Sequence, residues 1–121
     1  MSTSSDDRRG NLPRAYQRAC LLILLAEGSA HGYDLLEQVR GAGLAGAEAG
    51  GLYRCLRSME EDGLVTSWWE PSQAGPPRRT YLLSVEGEQA AEEWAAGLEE
   101  VGDQIAALLA RYAARTGRAL R

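Results

Sequence analysis

The sequence of 121 residues contains no lysine and no phenylalanine, and His31 is its single histidine. All 13 basic residues are therefore arginine, which together with abundant alanine and glycine is typical of a GC-rich genome. The longest apolar run, Ala19 to Ala26, falls far short of the ~20 residues that span a membrane, and the polar N-terminus lacks the apolar segment of a signal peptide. These absences predict a cytoplasmic protein with no membrane segment.

Few residues are suited to catalysis or metal binding. His31 has no nucleophile or second ligand at a useful spacing, and no Walker loop, GxSxG, CxxC or HExxH motif occurs. The sequence therefore predicts a protein that is not an enzyme, with no catalytic residues, metal site or cofactor. The two cysteines, Cys20 and Cys55, each lie in an apolar helical pattern. A disulfide would require these helices to pack at the right distance, and free buried thiols are favoured.

The charges are distributed unevenly along the chain. In total, 17 acidic residues outnumber the 13 arginines, yet seven of the acids and none of the arginines lie between Ser84 and Ala110. The acidic surplus therefore belongs to one C-terminal element. The remaining 10 acidic residues face 13 arginines in the rest of the chain. The acidic balance argues against indiscriminate nucleic-acid coating but does not decide whether a local basic face exists.

The first helix is unusually apolar. Residues 1–12 are polar and are predicted to form a disordered arm, after which Pro13 suits the start of a helix that continues to Glu27 and ends at Gly28. Six consecutive apolar residues, from Cys20 to Leu25, must be covered on nearly all sides. A subunit partner is a natural source of that cover.

Two further helices form a helix-turn-helix candidate. The second is predicted to begin at Ser29 or Ala30, and the stretch GAGLAGAEAGG after it serves as a turn. The third lies in the block GLYRCLRSMEEDGLV from residue 51 to 65, where Gly63 ends it before Leu64 and Val65 begin an extended run. The inward side of the second helix carries Leu35, Leu36 and Val39, and that of the third carries Leu52, Cys55, Leu56 and Met59. The other side of the third helix carries Arg54, Arg57 and Ser58, with Tyr53 at its flank.

A β-hairpin is predicted next. Leu64–Glu70 and Arg79–Val85 both have the composition of short strands, and the intervening PSQAGPPR contains prolines and a glycine that interrupt either strand. Arg78 and Arg79 stand at the tip of this hairpin. Helices followed by such a wing predict a mainly α winged helix-turn-helix domain over residues 13–85.

The last predicted element is a long helix over residues 86–113, followed by a flexible basic tail at 114–121. Its apolar residues recur with heptad spacing, at Trp94, Leu98, Val101, Ile105, Leu108 and Tyr112. This seam either packs on the first helix of the same chain or, as we favour, forms a dimerisation helix. Adjacent strand residues point to opposite faces, so one of Trp68 and Trp69 should face the core.

The order of these blocks resembles the PadR family of bacterial transcriptional regulators. The similarity extends over roughly Arg14 to Tyr112 and rests on HGYDLLEQV, on GLYRCLRSMEEDGLV and on GPPRRTYLLSVEGE, which occur at the family's spacing. The single C-terminal helix is similar to the shorter subfamily. The resemblance implies a homodimer that is built from the first and last helices, binds a palindromic DNA operator and usually represses transcription.

The resemblance also implies roles for particular residues. Its DNA-binding positions are Gly51, Tyr53, Arg54, Arg57 and Ser58 on the third helix and Arg78 and Arg79 on the wing. The family often has Ser/Thr-Pro-Gly-Thr before this helix, whereas this chain has Glu48, Ala49, Gly50 and Gly51, so that a phosphate-binding hydroxyl is missing. Arginine suits either guanine edges or phosphates, and we hypothesise that Arg57 reads bases. Whether Arg78 and Arg79 contact phosphates stays open, and Tyr53 either contacts a phosphate or packs against the second helix.

Two further expectations concern partners. Trp68, Trp69 and Trp94 are candidates for an effector pocket at the dimer interface that would take a small aromatic or apolar ligand; simple dimer packing is the alternative for Trp94. The rival to DNA binding is a winged-helix protein-interaction module that has lost operator binding and acts through its acidic C-terminal helix.

Overall fold

The computed structural model describes residues 12–117. A 3-10 turn at Arg14–Tyr16 leads into α1 (Gln17–Leu25), β1 (Ala30–His31), α2 (Gly32–Gly41), α3 (Ala49–Glu61), β2 (Val65–Glu70), β3 (Arg78–Leu83) and α4 (Val85–Thr116). Three short helices, a small antiparallel sheet and a long last helix confirm the predicted winged-helix class. All but the last residue of the predicted N-terminal arm, and the end of the predicted tail, lie outside the described residues.

The sheet has one strand more than the sequence predicts. Its order is β1-β3-β2, and the register of the hairpin runs from Val65 opposite Leu83 to Glu70 opposite Arg78. In β1, Ala30 pairs with Tyr81 and His31 with Thr80. The predicted helix start at Ser29 or Ala30 was wrong, because α2 begins at Gly32. A strand of two residues is too short to show the apolar-polar alternation by which strands are predicted.

One apolar core joins the first three helices to the base of the sheet. Most of the residues expected to face inward are buried, namely Leu35, Leu36 and Val39 of α2 and Leu52, Leu56 and Met59 of α3, but Cys55 is only half-buried. Of the apolar run in α1, Leu21, Leu22 and Leu25 are buried. Val65, Tyr81 and Leu83 close the core from the sheet. Each large apolar side chain buried in this way contributes about 1.5–3 kcal/mol, so this core holds α3 against the wing.

The third helix begins earlier than predicted. It starts at Ala49, so Gly50 and Gly51 lie in its first turn, and the predicted turn is shortened to residues 42–48. Its end agrees with the prediction, because Gly63 has a φ of 78°, a conformation that favours glycine. Val65 then begins the wing two residues later.

The last helix is joined tightly to the domain at its first turn. Ser84 caps it by accepting a hydrogen bond from the amide of Gly87 (3.0 Å), and its own hydroxyl donates to the carbonyl of Gly63 (2.6 Å). Gly87 is buried so closely against the carbonyl of Leu64 that a side chain would collide with it. This contact fixes the direction in which α4 leaves the wing.

Most of α4 is exposed beyond that junction. It packs on α1, but its buried residues are only Gly87 and Ala91. Leu98 and Val101 are half-buried, whereas Ile105, Leu108, Leu109 and Tyr112 are 51–66% exposed. The seam therefore packs within its own chain at the start and is uncovered in its second half. The helix continues to Thr116, beyond the predicted end at 113.

The expectation that one wing tryptophan faces the core was wrong. Trp68 is 39% exposed and Trp69 is 62% exposed. The two do alternate, since Trp69 lies on the same face of β2 as Val65, but only the base of the hairpin reaches the core. The strand extends past the core, and both indoles lie beyond its edge.

Candidate nucleic-acid interface

The outer side of α3 carries the arginines that the sequence predicts there. Arg54 and Arg57 are exposed, Tyr53 is 40% exposed, and Leu52 and Leu56 on the opposite side are fully buried. This separation follows from the 3.6-residue period of the helix. The core therefore holds α3 with its basic side toward solvent.

A groove of about 540 Å³ lies between the start of α2, the outer side of α3 and the wing. Its lining residues are His31, Gly32, Tyr33, Tyr53, Arg57, Glu60, Trp69, Pro77, Arg78, Arg79 and Tyr81. The groove brings together four of the seven predicted DNA-binding residues, one pair from the helix and one from the wing. It also contains Tyr33, which is 66% exposed and which the sequence analysis did not select, although its place beside His31 at a helix start was a usable signal.

Tyr53 packs on the second helix, one of the two roles left open for it. Its ring lies against Gly32, where a Cβ would be only 2.6 Å from Cε1 and 2.9 Å from the hydroxyl oxygen. A glycine at this position thus makes room for the aromatic ring. Because Tyr53 is still partly exposed in the groove, packing and a polar contact through its hydroxyl are compatible.

Arg54 lies over the first turn of α3, outside the groove. A Cβ at Gly50 would lie 3.4 Å from one terminal nitrogen of Arg54, and a Cβ at Gly51 would lie 3.8 Å from the other. A Cβ at either position would therefore make an ordinary van der Waals contact with the guanidinium group, which lies beside the backbone of this turn. The guanidinium group adds positive charge beside the free amides of a helix N-terminus, where Glu48 opposes it.

Ser58 is directed toward α1 and away from the groove. Arg18 donates a hydrogen bond to the Ser58 hydroxyl at 2.7 Å and forms an ion pair with Asp62 at 3.0 Å. Ser58 is half-buried. Its expected place on the arginine side of the helix is therefore corrected, because it lies at the edge that contacts α1.

The two wing arginines differ. Arg78 is exposed, whereas the side chain of Arg79 is 36% exposed and has partners within the chain. The Nε of Arg79 donates to the Ser67 hydroxyl at 3.1 Å, and its Nη2 lies 3.9 Å from a carboxylate oxygen of Glu60. Its guanidinium carbon is 5.2 Å from the ring centroid of Trp69. The sequence around Glu60 contains no local pattern that would predict these contacts.

Several titratable groups around the groove have structural partners. The Nδ1 of His31 is 2.9 Å from the Thr80 hydroxyl, and its Nε2 is 3.8 Å from the carboxylate of Glu70. Burial raises the pKa of the Tyr81 hydroxyl, and the nearby charge of Arg79 opposes this shift.

Cys20 and Cys55 are free, as expected, and partly buried, and burial raises the pKa of both thiols. These thiols are therefore protonated at neutral pH.

The three tryptophans do not meet within the chain. Trp69 lines the groove, whereas Trp94 lines a separate cavity of about 380 Å³ between Tyr16 and the seam residues Leu98 and Val101. The Trp68 indole donates to the Glu70 carboxylate at 3.3 Å.

Within residues 12–117, no three His, Cys, Asp or Glu side chains are placed to hold a metal ion. No helix in that part of the chain is long and apolar enough to cross a bilayer.

The three helices and the following β-hairpin place this chain in the class of winged helix-turn-helix proteins. Residues 21–93 match the model of the transcriptional regulator PadR-like family. The chain belongs to this family. No curated protein sequence matches the chain significantly.

Solved structures of PadR-like regulators share the fold. A PadR-like transcriptional regulator from Bacillus cereus has a TM-score of 0.72 at 23% identity, with 79% of this chain and 93% of that chain covered. A PadR family regulator from Eggerthella lenta has a TM-score of 0.61 at 28% identity over 74% of this chain and 80% of the other. Bacillus subtilis PadR, solved in complex with operator DNA, has a TM-score of 0.58 at 22% identity, and 64% of this chain covers 45% of that one.

Proposed function

We propose that this protein is a sequence-specific DNA-binding regulator that acts in the cytoplasm as a homodimer on a palindromic operator and represses transcription. The observation that carries the proposal is the groove, in which Arg57 of α3 and Arg78 of the wing line one open surface. An α-helix fits the major groove of DNA, and arginine pairs well with guanine edges and with phosphates. The operator complex of Bacillus subtilis PadR supports this role. The protein then acts by binding, with no catalytic step.

The arginines lie at different places around the groove, and we assign each of them a different contact with DNA. Arg57 lies about two turns inside α3 and lines the groove, and we assign it to base edges. Arg54 with the amide of Gly51 at the helix start, and Arg78 on the wing, are assigned to phosphates. Tyr53 adds its hydroxyl at the edge of the groove. Ser58 and Arg79 have internal partners, so neither is assigned a direct base contact.

The homodimer is supported by the second half of α4. Ile105, Leu108, Leu109 and Tyr112 expose one apolar surface along this helix. A second copy would cover this surface and would place two recognition helices on one operator, where half-sites are about 34–36 Å apart. This symmetry requires a palindromic sequence.

We further propose that a small-molecule effector binds this protein. The cavity beside Trp94 is close to the seam, and its volume of about 380 Å³ is within the usual range for ligand pockets. Trp68 and Trp69 lie on the wing, so among the three tryptophans only Trp94 supports an effector site at the dimer interface. Ligand-dependent tryptophan fluorescence that is lost in Trp94→Phe tests this assignment. A ligand that shifts the melting temperature of both proteins equally would exclude it.

The test of DNA binding uses DNA from upstream of the protein's own gene at several salt concentrations. Arg54→Ala/Arg57→Ala should weaken binding and flatten the plot of log affinity against log salt by about 0.9 for each lost phosphate contact. The loss of a base-reading Arg57 should also reduce discrimination against random DNA by about 1–3 kcal/mol. Arg111→Ala/Arg115→Ala removes the same charge from exposed positions on α4 and is the matched control; because these arginines border the proposed dimer surface, light scattering must first show that the variant is still dimeric.

A protein-interaction module is the second candidate function. It is favoured by the seven acidic residues between Ser84 and Ala110, which give most of α4 an acidic surface. If this is the function, both double variants should behave like the wild type in every DNA measurement. Equal binding of operator and random DNA by all three proteins would therefore replace the regulator proposal with this one.

A further inference from the structure

Glu60 connects the recognition helix to the wing. It lies in the last turn of α3, three residues after Arg57, and is half-buried. Its two carboxylate oxygens are 3.0 Å and 2.9 Å from the hydroxyl of Ser67 on β2, which donates its one proton to the pair. The connection joins two elements that both border the groove.

Arg79 completes this connection from the third strand. Its guanidinium group donates to Ser67, faces Glu60 and lies over Trp69, the residue opposite Arg79 in the strand register. The positive charge of Arg79 therefore has a carboxylate beside it before any DNA arrives. Arg78 lies on the other face of β3, is exposed and forms no ion pair with any residue the structure describes.

We propose that Glu60 is a positioning residue for DNA recognition, which fixes the wing to α3 through Ser67 and keeps the partly exposed Arg79 paired with a carboxylate of its own chain. Arg78 is then the wing arginine that meets phosphate. This inference rests on the proposed function and deepens it. It replaces the sequence-based expectation that Arg78 and Arg79 act alike.

The physical consequence is a difference in salt dependence. An arginine that neutralises a phosphate releases a counter-ion and steepens the salt dependence of binding, whereas an arginine already paired with a carboxylate does not. A wing that is fixed in advance also loses less conformational freedom on binding. Glu60 thus limits binding to arbitrary DNA and preserves the geometry needed for the operator.

The decisive variants are Glu60→Gln and Arg79→Ala, alone and together. Glutamine keeps the length of the side chain and can still accept from Ser67, but it removes the charge that holds Arg79. We expect Glu60→Gln to steepen the salt slope by about one unit per protomer and to lower the ratio of operator to random-DNA affinity. Arg79→Ala should leave the slope of the wild type unchanged but should abolish the increase in Glu60→Gln.

Two controls isolate the effect. Glu61→Gln removes the same charge from the next residue, which is exposed, and should change the slope less than Glu60→Gln does. Arg78→Ala should flatten the slope in both backgrounds. The inference is overturned if Arg79→Ala flattens the slope of the wild type as much as Arg78→Ala, or if Glu60→Gln and Glu61→Gln are indistinguishable.

A measurement without DNA separates this inference from the proposed function. Amide hydrogen exchange in β2 and β3 of the free protein should be faster in Glu60→Gln and Arg79→Ala than in Glu61→Gln and Arg78→Ala. Equal exchange in all four proteins would exclude the connection between helix and wing. A wild type that binds no DNA would overturn the proposed function and the DNA role of Glu60, while exchange would still decide whether the connection exists.

Discussion

The winged-helix domain and the second half of α4 bury their apolar residues to very different extents. Leu21, Leu52 and Leu56 in the domain have no exposed surface, whereas Ile105 and Leu108 on α4 are 53% and 66% exposed. Both regions contain a regular helical pattern of apolar residues. The difference lies in their neighbours, since three helices and a sheet surround the domain core and α4 extends past all of them.

This contrast indicates which part of the protein is complete in one chain. The domain buries its own core and so positions the groove without help. An apolar helix surface left open to solvent costs free energy that a second copy would recover, which is the physical basis of the proposed dimer. The following predictions test where the boundary between the two regions lies.

The largest effect is expected from placing charge on the exposed seam. Ile105→Glu with Leu108→Glu should abolish dimerisation, because four apolar side chains across the interface would together lose about 6–12 kcal/mol of burial. Light scattering should show a monomer, and operator affinity should fall. Ala110→Glu adds charge on the opposite side of α4 and should remain dimeric. A double variant that stays dimeric would place the interface elsewhere.

A smaller loss is expected in the closed core. Leu56→Ala should lower the free energy of unfolding by about 2–5 kcal/mol, since it leaves a cavity among helices that cannot collapse. Leu82→Ala, at a residue of β3 that is 41% exposed, is the control and should cost much less. Urea denaturation measures both. Equal losses would contradict the contrast between the core and the surface of the domain.

The smallest effect is expected at the junction of the two regions. Gly87→Ala would push a methyl group into the carbonyl of Leu64 and should cost about 1–3 kcal/mol through strain. Gly102→Ala, in the exposed part of the same helix and with no neighbour within 4 Å of an added Cβ, should instead stabilise by about 0.5–1 kcal/mol. Thermal unfolding of the two variants should therefore shift in opposite directions. A shift in the same direction would mean that the junction is loose.

Much of the fold was predictable because most of its elements are periodic. The spacing of Leu52, Leu56 and Met59 identified the buried side of α3, and the strand composition around PSQAGPPR identified the wing. Strand β1, which the sequence did not predict, and the exposed Trp68 and Trp69 mark the limit of that reasoning. A pattern within one segment does not show how far the core extends beneath it.

The candidate site was predictable only in part, for a related reason. Arg57 and Arg78 follow from the outward side of a helix and the tip of a hairpin. Ser58 turned toward Arg18, and Arg79 toward Glu60 and Ser67, because of contacts between elements that are distant in sequence. Neither contact has a sequence spacing that indicates it.

The sequence by itself determined the class of fold, the basic side of α3, the acidic character of the last helix and the resemblance to its family. These features depend on periodicity and composition within single segments. Only the tertiary structure decided which of two neighbouring arginines has an ion-pair partner within residues 12–117, where Ser58 points and where the cover on α4 ends. Strand register and helix packing set those distances, and a difference of one residue in register reverses the face on which a side chain lies.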